Sequence, residues 1–309
     1  MRFAIYGTGG VGGYFGGRLA ESGEDVTFIA RGAHLEAMQR DGLTIESPDG
    51  DIHLPETQAT DDPADIGTVD CVIVAVKAWQ VPEAAKAMRP LIGPDTVVLP
   101  LENGVEAADQ LTAELGGNHV IGGLCGIVAY RERPGRIRHV GVDPFIRLGE
   151  RDNRPSERTV ALKDSLSNAK GIQAEIPDDI QVAIWSKFLF ICAMSGVGAI
   201  TRAPIGNTRA LDETRRLFIA VMEEICAVAQ ASGVIMPDDA IERAMNFIEA
   251  LPENSTASMQ RDIMEGHPSE LEAQNGAVVR LGQQYGVATP VNAVIHAALL
   301  PQERKARSD

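Results

Sequence analysis

The stretch from Phe3 to Gly12, with the sequence FAIYGTGGVG, determines the fold of the first half of this chain. It is an apolar run that ends in G-x-G-x-x-G, the pattern of a strand that turns directly into a helix. Gly7 permits the tight turn, Gly9 permits close approach of a phosphate, and Gly12 permits close packing of the helix. The pattern predicts dinucleotide binding, and the alternative is a merely structural turn. The residues expected at the cofactor are Gly7, Thr8, Gly9, Gly10, Val11 and Gly12.

The residues after the turn support dinucleotide binding and indicate which cofactor is used. A helix is predicted over 11–22 and a second strand over 25–30. An Asp or Glu at the end of that strand would bind the ribose 2′-hydroxyl of NAD(H). This chain has Arg31 there, and a guanidinium can hold a 2′-phosphate through two charge-assisted hydrogen bonds. We therefore predict NADP(H), with a solvated surface arginine as the alternative. His34, one turn later, could help to hold the phosphate, and the alternative is an idle surface histidine.

Composition restricts the class of protein. The 309 residues suffice for two ordinary domains, and 44% hydrophobic with 23% charged residues is typical of a globular protein. A net charge of −15 argues against nucleic acid or an anionic membrane as a partner. The four cysteines and six histidines show no metal-ligand spacing, so we predict reduced thiols and no metal. No leader is evident and no apolar run approaches the roughly 20 residues of a membrane helix, so we predict a cytoplasmic protein.

The first half of the chain alternates strand-like and helix-like segments. Near-continuous apolar runs at 70–76 and 96–101 are typical of parallel strands buried on both faces. We therefore predict a Rossmann-type, doubly wound parallel α/β domain over 1–176, which binds the dinucleotide. Its later elements are predicted as strands over 120–130, 135–148 and 172–176, a hairpin around 133–136 and a helix over 156–170.

Strand signals almost disappear after residue 177, and we predict an all-α substrate and catalytic domain over 177–309. Its apolar helices fit either a homodimer interface or the domain's own core, and the sequence leaves both open. The tail over 302–309 is polar and is predicted to fray. Candidate helices run over 178–200, 209–232, 238–250, 269–286 and 290–300.

Four polar positions could carry chemistry. Lys77 ends one predicted strand, where it would reach a cofactor phosphate, and Asn103 follows the next strand, either near a nicotinamide or in an ordinary Asn-Gly turn. Lys187 interrupts an apolar helix and either snorkels to the surface or points into a cleft. A partly desolvated lysine suits carbonyl reduction, because it readily gives a proton to a developing alkoxide. Glu270 follows Ser269 and fits either a helix cap or a site.

These pieces, in this order, resemble the ketopantoate reductase (2-dehydropantoate 2-reductase) family. The resemblance spans nearly the whole chain and includes the glycine pattern and Arg31. Its other motifs are V-K-A-W-Q at 76–80, E-N-G at 102–104, W-x-K at 185–187, S-M-x-x-D at 258–262 and G-x-x-x-E at 266–270.

The resemblance implies a role for each matching residue. Lys187 looks like the family's general acid, and Glu270 like the acid that orients the lysine or the reacting oxygen. Ser258 resembles the serine that binds the substrate carboxylate. Asn103 resembles the asparagine at the nicotinamide, and Lys77 the lysine along the cofactor. Asn103 and Lys187 are also expected to contact the substrate.

The chain departs from the family at two positions on the helix of Lys187. The family usually has asparagines four and eight residues after the lysine, on one helix face, and they bind substrate. Here these positions are Ile191 and Ser195. Isoleucine cannot replace the hydrogen bonds of an amide, whereas Ser195 is retained as a candidate substrate contact. The substrate is therefore either ketopantoate itself or a more apolar 2-oxo acid.

Together these residues predict an NADPH-dependent reduction of a 2-oxo acid, most directly 2-dehydropantoate to pantoate. A rival enzyme would keep the fold and act on another oxo or hydroxy acid, or on an imine, in the opposite direction. A non-enzymatic rival would sense NADPH without turnover. The presence of Lys187 together with Glu270 argues against the last reading.

Overall fold

The computed structural model describes residues 1–308 and divides into two compact units. The first contains Met1–Glu102 and Ala107–Ile180, and the second contains Asn103–Glu106 and the chain from Gln181 onward. The sequence places the change of domain after residue 176, a few residues before the end of the first unit. The short Asn103–Glu106 segment is the unexpected member, because it brings Asn103 into the helical unit.

The first unit is built on a five-stranded parallel sheet. The strands are β1 (Arg2–Tyr6), β2 (Asp25–Ile29), β5 (Gln58–Thr60), β6 (Cys71–Val74) and β7 (Val97–Pro100). Their spatial order is β5-β2-β1-β6-β7, so successive strands are added first on one side of β1 and then on the other. Ligands of such sheets bind at the carboxyl ends of the strands at this switch point. The predicted doubly wound parallel architecture is confirmed.

Both faces of this sheet are buried, as the apolar runs predict. Along β1, Phe3 and Ile5 contribute to one apolar core, while Ala4 and Tyr6 contribute to another on the opposite face. This follows from the alternation of side chains along a strand. The helices of the unit are α1 (Gly10–Glu21), α2 (Gly32–Asp41), α3 (Val81–Ala87), α4 (Ala107–Leu115) and α5 (Glu157–Asn168).

Two smaller sheets complete the first unit. The predicted hairpin around 133–136 is confirmed, since β9 and β10 pair antiparallel across it. The spatial orders are β4-β3-β10-β9 and β12-β11-β8. The strands are β3 (Leu43–Glu46), β4 (Ile52–Leu54), β8 (Gly122–Gly126), β9 (Ala129–Arg133), β10 (Arg136–His139), β11 (Phe145–Gly149) and β12 (Gln173–Glu175).

The second unit is helical throughout the part of the chain that the structure describes, as predicted. Its core is formed by apolar side chains from several helices, including Phe188, Phe218 and Met259, so the apolar faces pack within the unit. The helices are α6 (Ile180–Thr201), α7 (Ile205–Arg209), α8 (Asp212–Ala231), α9 (Ala240–Ala250), α10 (Ser258–Glu265), α11 (Asn275–Tyr285) and α12 (Pro290–Ser308).

Helix α6 corrects one expectation. It has 22 residues and a mean hydropathy of 1.6, so it is long and apolar enough to span a membrane by these criteria alone. The expectation that no apolar run approaches that length is therefore wrong. Of its apolar stretch of 18 residues, 67% is buried within the protein, and side chains of the helix form part of the core of the second unit. Its apolar character is that of a core helix.

Three other expectations about elements also change. The predicted helix over 269–286 is shorter, because α11 begins only at Asn275 and the preceding residues form turns. A helix over Ser258–Glu265 was missed. Of the tail predicted to fray, residues 302–308 are the end of α12, and residue 309 lies outside the described residues. Its anchor is Glu303, which is only 2% exposed despite the polar sequence around it.

Candidate active site

The glycine turn after β1 has the geometry that its sequence predicts. Gly7 has a φ of +101°, which favours glycine, and a Cβ there would lie 2.8 Å from Val76 Cγ1. A Cβ on Gly12 would lie 2.1 Å from the carbonyl oxygen of Gly7, so only glycine permits this packing of α1. The Cβ position of Gly9, in contrast, opens on space with no neighbouring group within 4 Å. The backbone at Gly9 is therefore accessible to a phosphate.

The remaining residues of the turn divide between structural and binding roles. Helix α1 begins at Gly10, so the N–H groups of Gly10, Val11 and Gly12 have no acceptor within the helix and can meet an anion. Thr8 behaves differently, because its backbone N–H and its hydroxyl both donate to the carbonyl of Ile29, at 3.2 and 3.0 Å. Thr8 therefore anchors the turn to β2.

A cavity of about 250 Å³ lies against this turn. Arg31 lies two residues after the end of β2, is exposed, and lines the cavity together with Tyr6. Burial raises the pKa of the Tyr6 hydroxyl, while the nearby Arg31 guanidinium opposes that rise. Gln80, Glu83 and Ala84 line the side formed by the start of α3. An accessible glycine backbone and an arginine at one cavity fit the phosphates of a dinucleotide.

The loops after β6 and β7 are tied together within the first unit. The backbone N–H of Val76 donates to Glu102 Oε1 at 3.2 Å, and Glu102 is only 8% exposed. This bond fixes the positions of Lys77, which follows Val76, and of Asn103, which follows Glu102. Lys77 is half-buried, with its Nζ 5.8 Å from the ring centroid of Trp79, a cation–π distance.

In the second unit, Asn103 joins Lys187 to Glu270. Lys187 Nζ donates to Asn103 Oδ1 at 3.0 Å, and Asn103 Nδ2 donates to Glu270 Oε2 at 3.0 Å. Lys187 and Asn103 are half-buried, and Glu270 is 5% exposed. Lys187 therefore does not simply snorkel to the surface, and Asn103 is more than part of a turn. We call this hydrogen-bonded set the lysine–amide–glutamate chain.

The chemistry of the lysine–amide–glutamate chain follows from the direction of its two hydrogen bonds. A neutral amide can accept a hydrogen bond from an ammonium and donate one to a carboxylate at the same time. The resemblance implies that Glu270 orients the lysine, and in the structure the amide of Asn103 connects the two groups. The amide fixes the ammonium in place without supplying a second negative charge. A positioned ammonium can stabilise a developing oxyanion and then give it a proton.

Glu270 is held by the end of helix α12. The buried Glu303 carboxylate accepts bonds from the Ser269 backbone N–H, at 3.0 and 3.2 Å, and from its hydroxyl, at 2.5 Å. Arg307 in turn donates to Glu303 and to the carbonyl of Ser269. Ser269 therefore contacts the C-terminal helix, and Glu270 is positioned by the residue immediately before it.

The other predicted substrate residues form no hydrogen bond with the lysine–amide–glutamate chain within residues 1–308. Ser258 begins α10 and is half-buried, and no hydrogen bond among residues 1–308 connects it to Lys187. Ser195 lies on α6 two turns after Lys187, is fully buried, and its hydroxyl has no partner among the described residues. Ile191 packs against the apolar core of the unit.

Two polar residues were missed from the sequence, and a third had two alternatives. Gln274, one turn after Glu270, is fully buried, and neither polar atom of its amide has a partner within residues 1–308. His34 could be a cofactor contact or an idle surface histidine by sequence; it is 3% exposed and lines the cavity at the glycine turn, so it is not a surface residue. Arg131, on β9, lines the same cavity from a distant part of the chain. Only the fourth-residue spacing of Gln274 from Glu270 was visible in the sequence.

Metal-ligating side chains do not cluster in this structure. Within residues 1–308, no group of three or more His, Cys, Asp or Glu side chains is arranged to hold a metal ion. The four cysteines form no disulfide; Cys71, Cys125 and Cys192 are buried. Burial raises the pKa of the Cys71 and Cys192 thiols strongly, so these cysteines are core residues rather than nucleophiles.

A phosphate-accessible glycine turn at the switch point of a doubly wound sheet, with a positioned ammonium in a helical unit, defines a dinucleotide-dependent oxidoreductase. Comparison with known proteins identifies the family. Residues 3–153 match the family model "Ketopantoate reductase PanE/ApbA", and residues 179–303 match the model of its C-terminal part. The chain belongs to the ketopantoate reductase family, and this membership together with the turn supports a nicotinamide cofactor.

Individual relatives extend over nearly the whole chain. An uncharacterized oxidoreductase, YkpB, from Bacillus subtilis is 32% identical over 302 residues, which is 97% of this chain and 98% of the relative. A 2-dehydropantoate 2-reductase from Nostoc is 32% identical over 301 residues, which is 96% of this chain and 93% of that relative. The crystal structure of a PanE/ApbA family ketopantoate reductase from Ralstonia eutropha has a TM-score of 0.90 and 33% identity, and covers 99% of this chain and 100% of that one.

Proposed function

We propose that the chain catalyses the NADPH-dependent reduction of a 2-oxo acid to a 2-hydroxy acid, with 2-dehydropantoate as the substrate and pantoate as the product. The observation that carries this proposal is the lysine–amide–glutamate chain, because it holds an ammonium where a carbonyl oxygen can be protonated. The names of the relatives from Nostoc and Ralstonia eutropha support the substrate. On this proposal the protein acts in pantothenate biosynthesis, in the cytoplasm.

The cofactor would be held by the first unit and the substrate by the second. NADPH supplies the hydride when it is bound. The N–H groups at the glycine turn would receive its pyrophosphate, Arg31 its 2′-phosphate and Lys77 its ribose or phosphates. Ser258 would hold the substrate carboxylate, as the resemblance implies, which orients the keto carbon for the hydride.

The residues of the lysine–amide–glutamate chain would then act on the keto oxygen. Lys187 first stabilises the negative charge that develops on this oxygen and then gives its proton to it. Asn103 keeps the ammonium in position through Oδ1, and Glu270 fixes the orientation of the amide by accepting from Nδ2. The products of this step are the 2-hydroxy acid and a neutral lysine, which regains its proton from solvent.

Two buried polar groups, one on the helix of Lys187 and one four residues after Glu270, favour a substrate with a second polar group over a purely apolar acid. Ser195 and Gln274 are fully buried and their side-chain polar atoms lack partners within residues 1–308. Each unpartnered buried group costs roughly 1–3 kcal/mol, a cost that a substrate hydroxyl could offset. Ketopantoate carries such a hydroxyl, and 3,3-dimethyl-2-oxobutanoate is the same acid without it. We therefore propose ketopantoate rather than a more apolar 2-oxo acid.

The test is to measure NADPH oxidation by the wild-type enzyme and by Lys187→Ala with both acids. We expect turnover of ketopantoate to exceed that of its deoxy analogue, and Lys187→Ala to lower kcat by about 10²–10⁴-fold, as is typical when a general acid is removed. Lys305→Ala is the matched control, because Lys305 is an exposed lysine of the same unit. Near-normal turnover by Lys187→Ala would exclude this mechanism. Faster turnover of the deoxy acid would exclude ketopantoate as the preferred substrate.

A further inference from the structure

The β9 strand passes directly over the glycine turn, although more than a hundred residues separate them in the sequence. A Cβ placed on Gly10 would lie 2.1 Å from the carbonyl oxygen of Ala129 and 2.8 Å from Tyr130 Cα. The next residue of this strand, Arg131, lines the cavity that Arg31 lines from β2. Two guanidinium groups from distant parts of the sequence therefore share one cavity.

Arg131 differs from the two arginines of the adjacent strand β10 in lacking a partner. On the adjacent strand β10, Arg136 donates to Glu46 at 2.8 Å and Arg138 donates to Glu132 at 2.8 Å. Within residues 1–308, no hydrogen bond or ion pair engages Arg131. An unpaired guanidinium at a cavity is available for an anionic ligand, and its planar shape suits a phosphate.

His34 adds a neutral donor to the same cavity. Its Nδ1 accepts a hydrogen bond from the backbone N–H of Gly135 at 2.9 Å, so in the neutral ring the proton resides on Nε2. Nε2 is buried and has no hydrogen-bond partner within residues 1–308, and the whole residue is 3% exposed. Burial and the nearby Arg131 lower the pKa of His34 more than the Thr8 backbone raises it, which keeps this ring a neutral donor.

We propose that Arg131 and His34 complete the site for the 2′-phosphate of NADPH, with Arg131 as a residue that determines cofactor specificity. The proposal rests on the proposed NADPH dependence. Two guanidinium groups, Arg31 and Arg131, outweigh the single carboxylate of Glu83 that also lines the cavity. NADH has a hydroxyl in place of the phosphate and gains nothing from the second charge.

The test compares two nucleotides that differ by the 2′-phosphate. The dissociation constants of 2′,5′-ADP and of 5′-AMP are measured calorimetrically for the wild-type protein, Arg131→Gln and Arg133→Gln. Arg133 is the matched control: it is an exposed arginine of β9 that does not line the cavity, and its substitution changes the net charge equally. We expect Arg131→Gln to weaken 2′,5′-ADP binding by about tenfold or more and 5′-AMP binding by less than about twofold, because one charge-assisted bond is lost. Arg133→Gln should change neither.

Each other outcome has a distinct meaning. If Arg131→Gln weakens both nucleotides equally, or neither, then Arg131 does not contact the 2′-phosphate and the inference is wrong. If the wild-type protein does not distinguish the two nucleotides, NADPH dependence itself fails and this inference fails with it. His34→Phe gives a second check, because it removes the Nε2 donor without changing the charge and should again weaken only 2′,5′-ADP. Catalysis by Lys187 is tested separately, by turnover.

Discussion

Asn103 shows how one neutral residue organises a charged site. If its amide were reversed, the NH₂ group would face the Lys187 ammonium and the oxygen would face the Glu270 carboxylate, which is repulsive at both ends. The two charged neighbours therefore select one orientation, in which Oδ1 and Nδ2 each lie 3.0 Å from a partner. Asn103 thereby separates the two charges and couples their positions.

Removing this amide should slow the reaction while leaving the nucleotide site intact. We expect Asn103→Leu to lower kcat by about 10²-fold, because Lys187 loses its acceptor and the ammonium is no longer oriented. The affinity for 2′,5′-ADP should stay within about twofold of the wild type, since that nucleotide lacks the nicotinamide. Steady-state kinetics and calorimetry measure the two quantities.

Asn254→Leu provides the control for Asn103→Leu, because Asn254 is an exposed asparagine of the helical unit. It should leave both quantities unchanged. An unaltered kcat in Asn103→Leu would mean that the hydrogen bonds between Lys187, Asn103 and Glu270 have no part in the reaction.

At the scale of secondary structure, the C-terminal part of α12 supports the active site from behind. Glu303 is 2% exposed and binds both the N–H and the hydroxyl of Ser269, which precedes Glu270. Arg307, one turn later, compensates the buried charge. A charged side chain is buried here because it satisfies the backbone of a turn that has no helix or strand to supply partners.

Glu303→Gln tests this support. The substitution removes the negative charge and places an NH₂ group near the donors of Ser269, so it should lower the free energy of unfolding by roughly 1–3 kcal/mol. It should also lower kcat, because the position of Glu270 depends on Ser269. Chemical denaturation and steady-state kinetics measure the two effects. Glu265→Gln, an exposed acid of α10, should change neither; if Glu303→Gln behaves like this control, α12 does not support the site.

The elements with a strong local pattern were predictable, and those that depend on distant partners were not. The turn at Gly7–Gly12 and the buried strands β6 and β7 follow from local sequence, since their composition fits only a few conformations. The short strands β3, β4 and β5 contain only three or four residues each, and the pairing of β3 with β10 and of β5 with β2 is not encoded locally. The end of α12 is helical because Glu303 has a buried partner at Ser269.

The same distinction applies to the active site. From spacing alone, Lys187, Asn103 and Glu270 each had an ordinary structural explanation, and only the family resemblance selected them. Their hydrogen bonds join residues that are 84 and 167 positions apart, so no local pattern can reveal them. Arg131 was not predicted at the cofactor cavity for the same reason, since β9 reaches the glycine turn only in the folded sheet.

At the scale of the whole molecule, net charge opposes the proposed ligands. The chain carries a charge of −15, whereas NADPH and a 2-oxo acid are both anionic. The electrostatic field of the whole protein therefore repels both ligands. Their binding must come from local groups such as Arg31, Arg131 and the N–H groups at the glycine turn. Local charge also confers selectivity, since anions without a phosphate in the right position gain no compensating contact.

Each unit also has an apolar core of its own, so damage to one core should leave the binding site of the other unit intact. Phe218 on α8 is fully buried in the core of the second unit, and Phe28 on β2 is 1% exposed in a core of the first. Truncation of a buried phenylalanine to alanine costs about 3–5 kcal/mol through the lost contacts and the cavity that remains. Both Phe218→Ala and Phe28→Ala should therefore lower the free energy of unfolding.

The two variants should differ in nucleotide binding. Phe28 lies in the strand that leads into Arg31, so Phe28→Ala should weaken 2′,5′-ADP at least about tenfold, whereas Phe218→Ala should leave its affinity within about twofold. Calorimetric titration at a temperature where both variants remain folded measures the difference. Loss of nucleotide binding in Phe218→Ala would show that the first unit keeps its shape only when the helical core is intact. Retention would show that the cofactor site does not depend on an intact core of the helical unit.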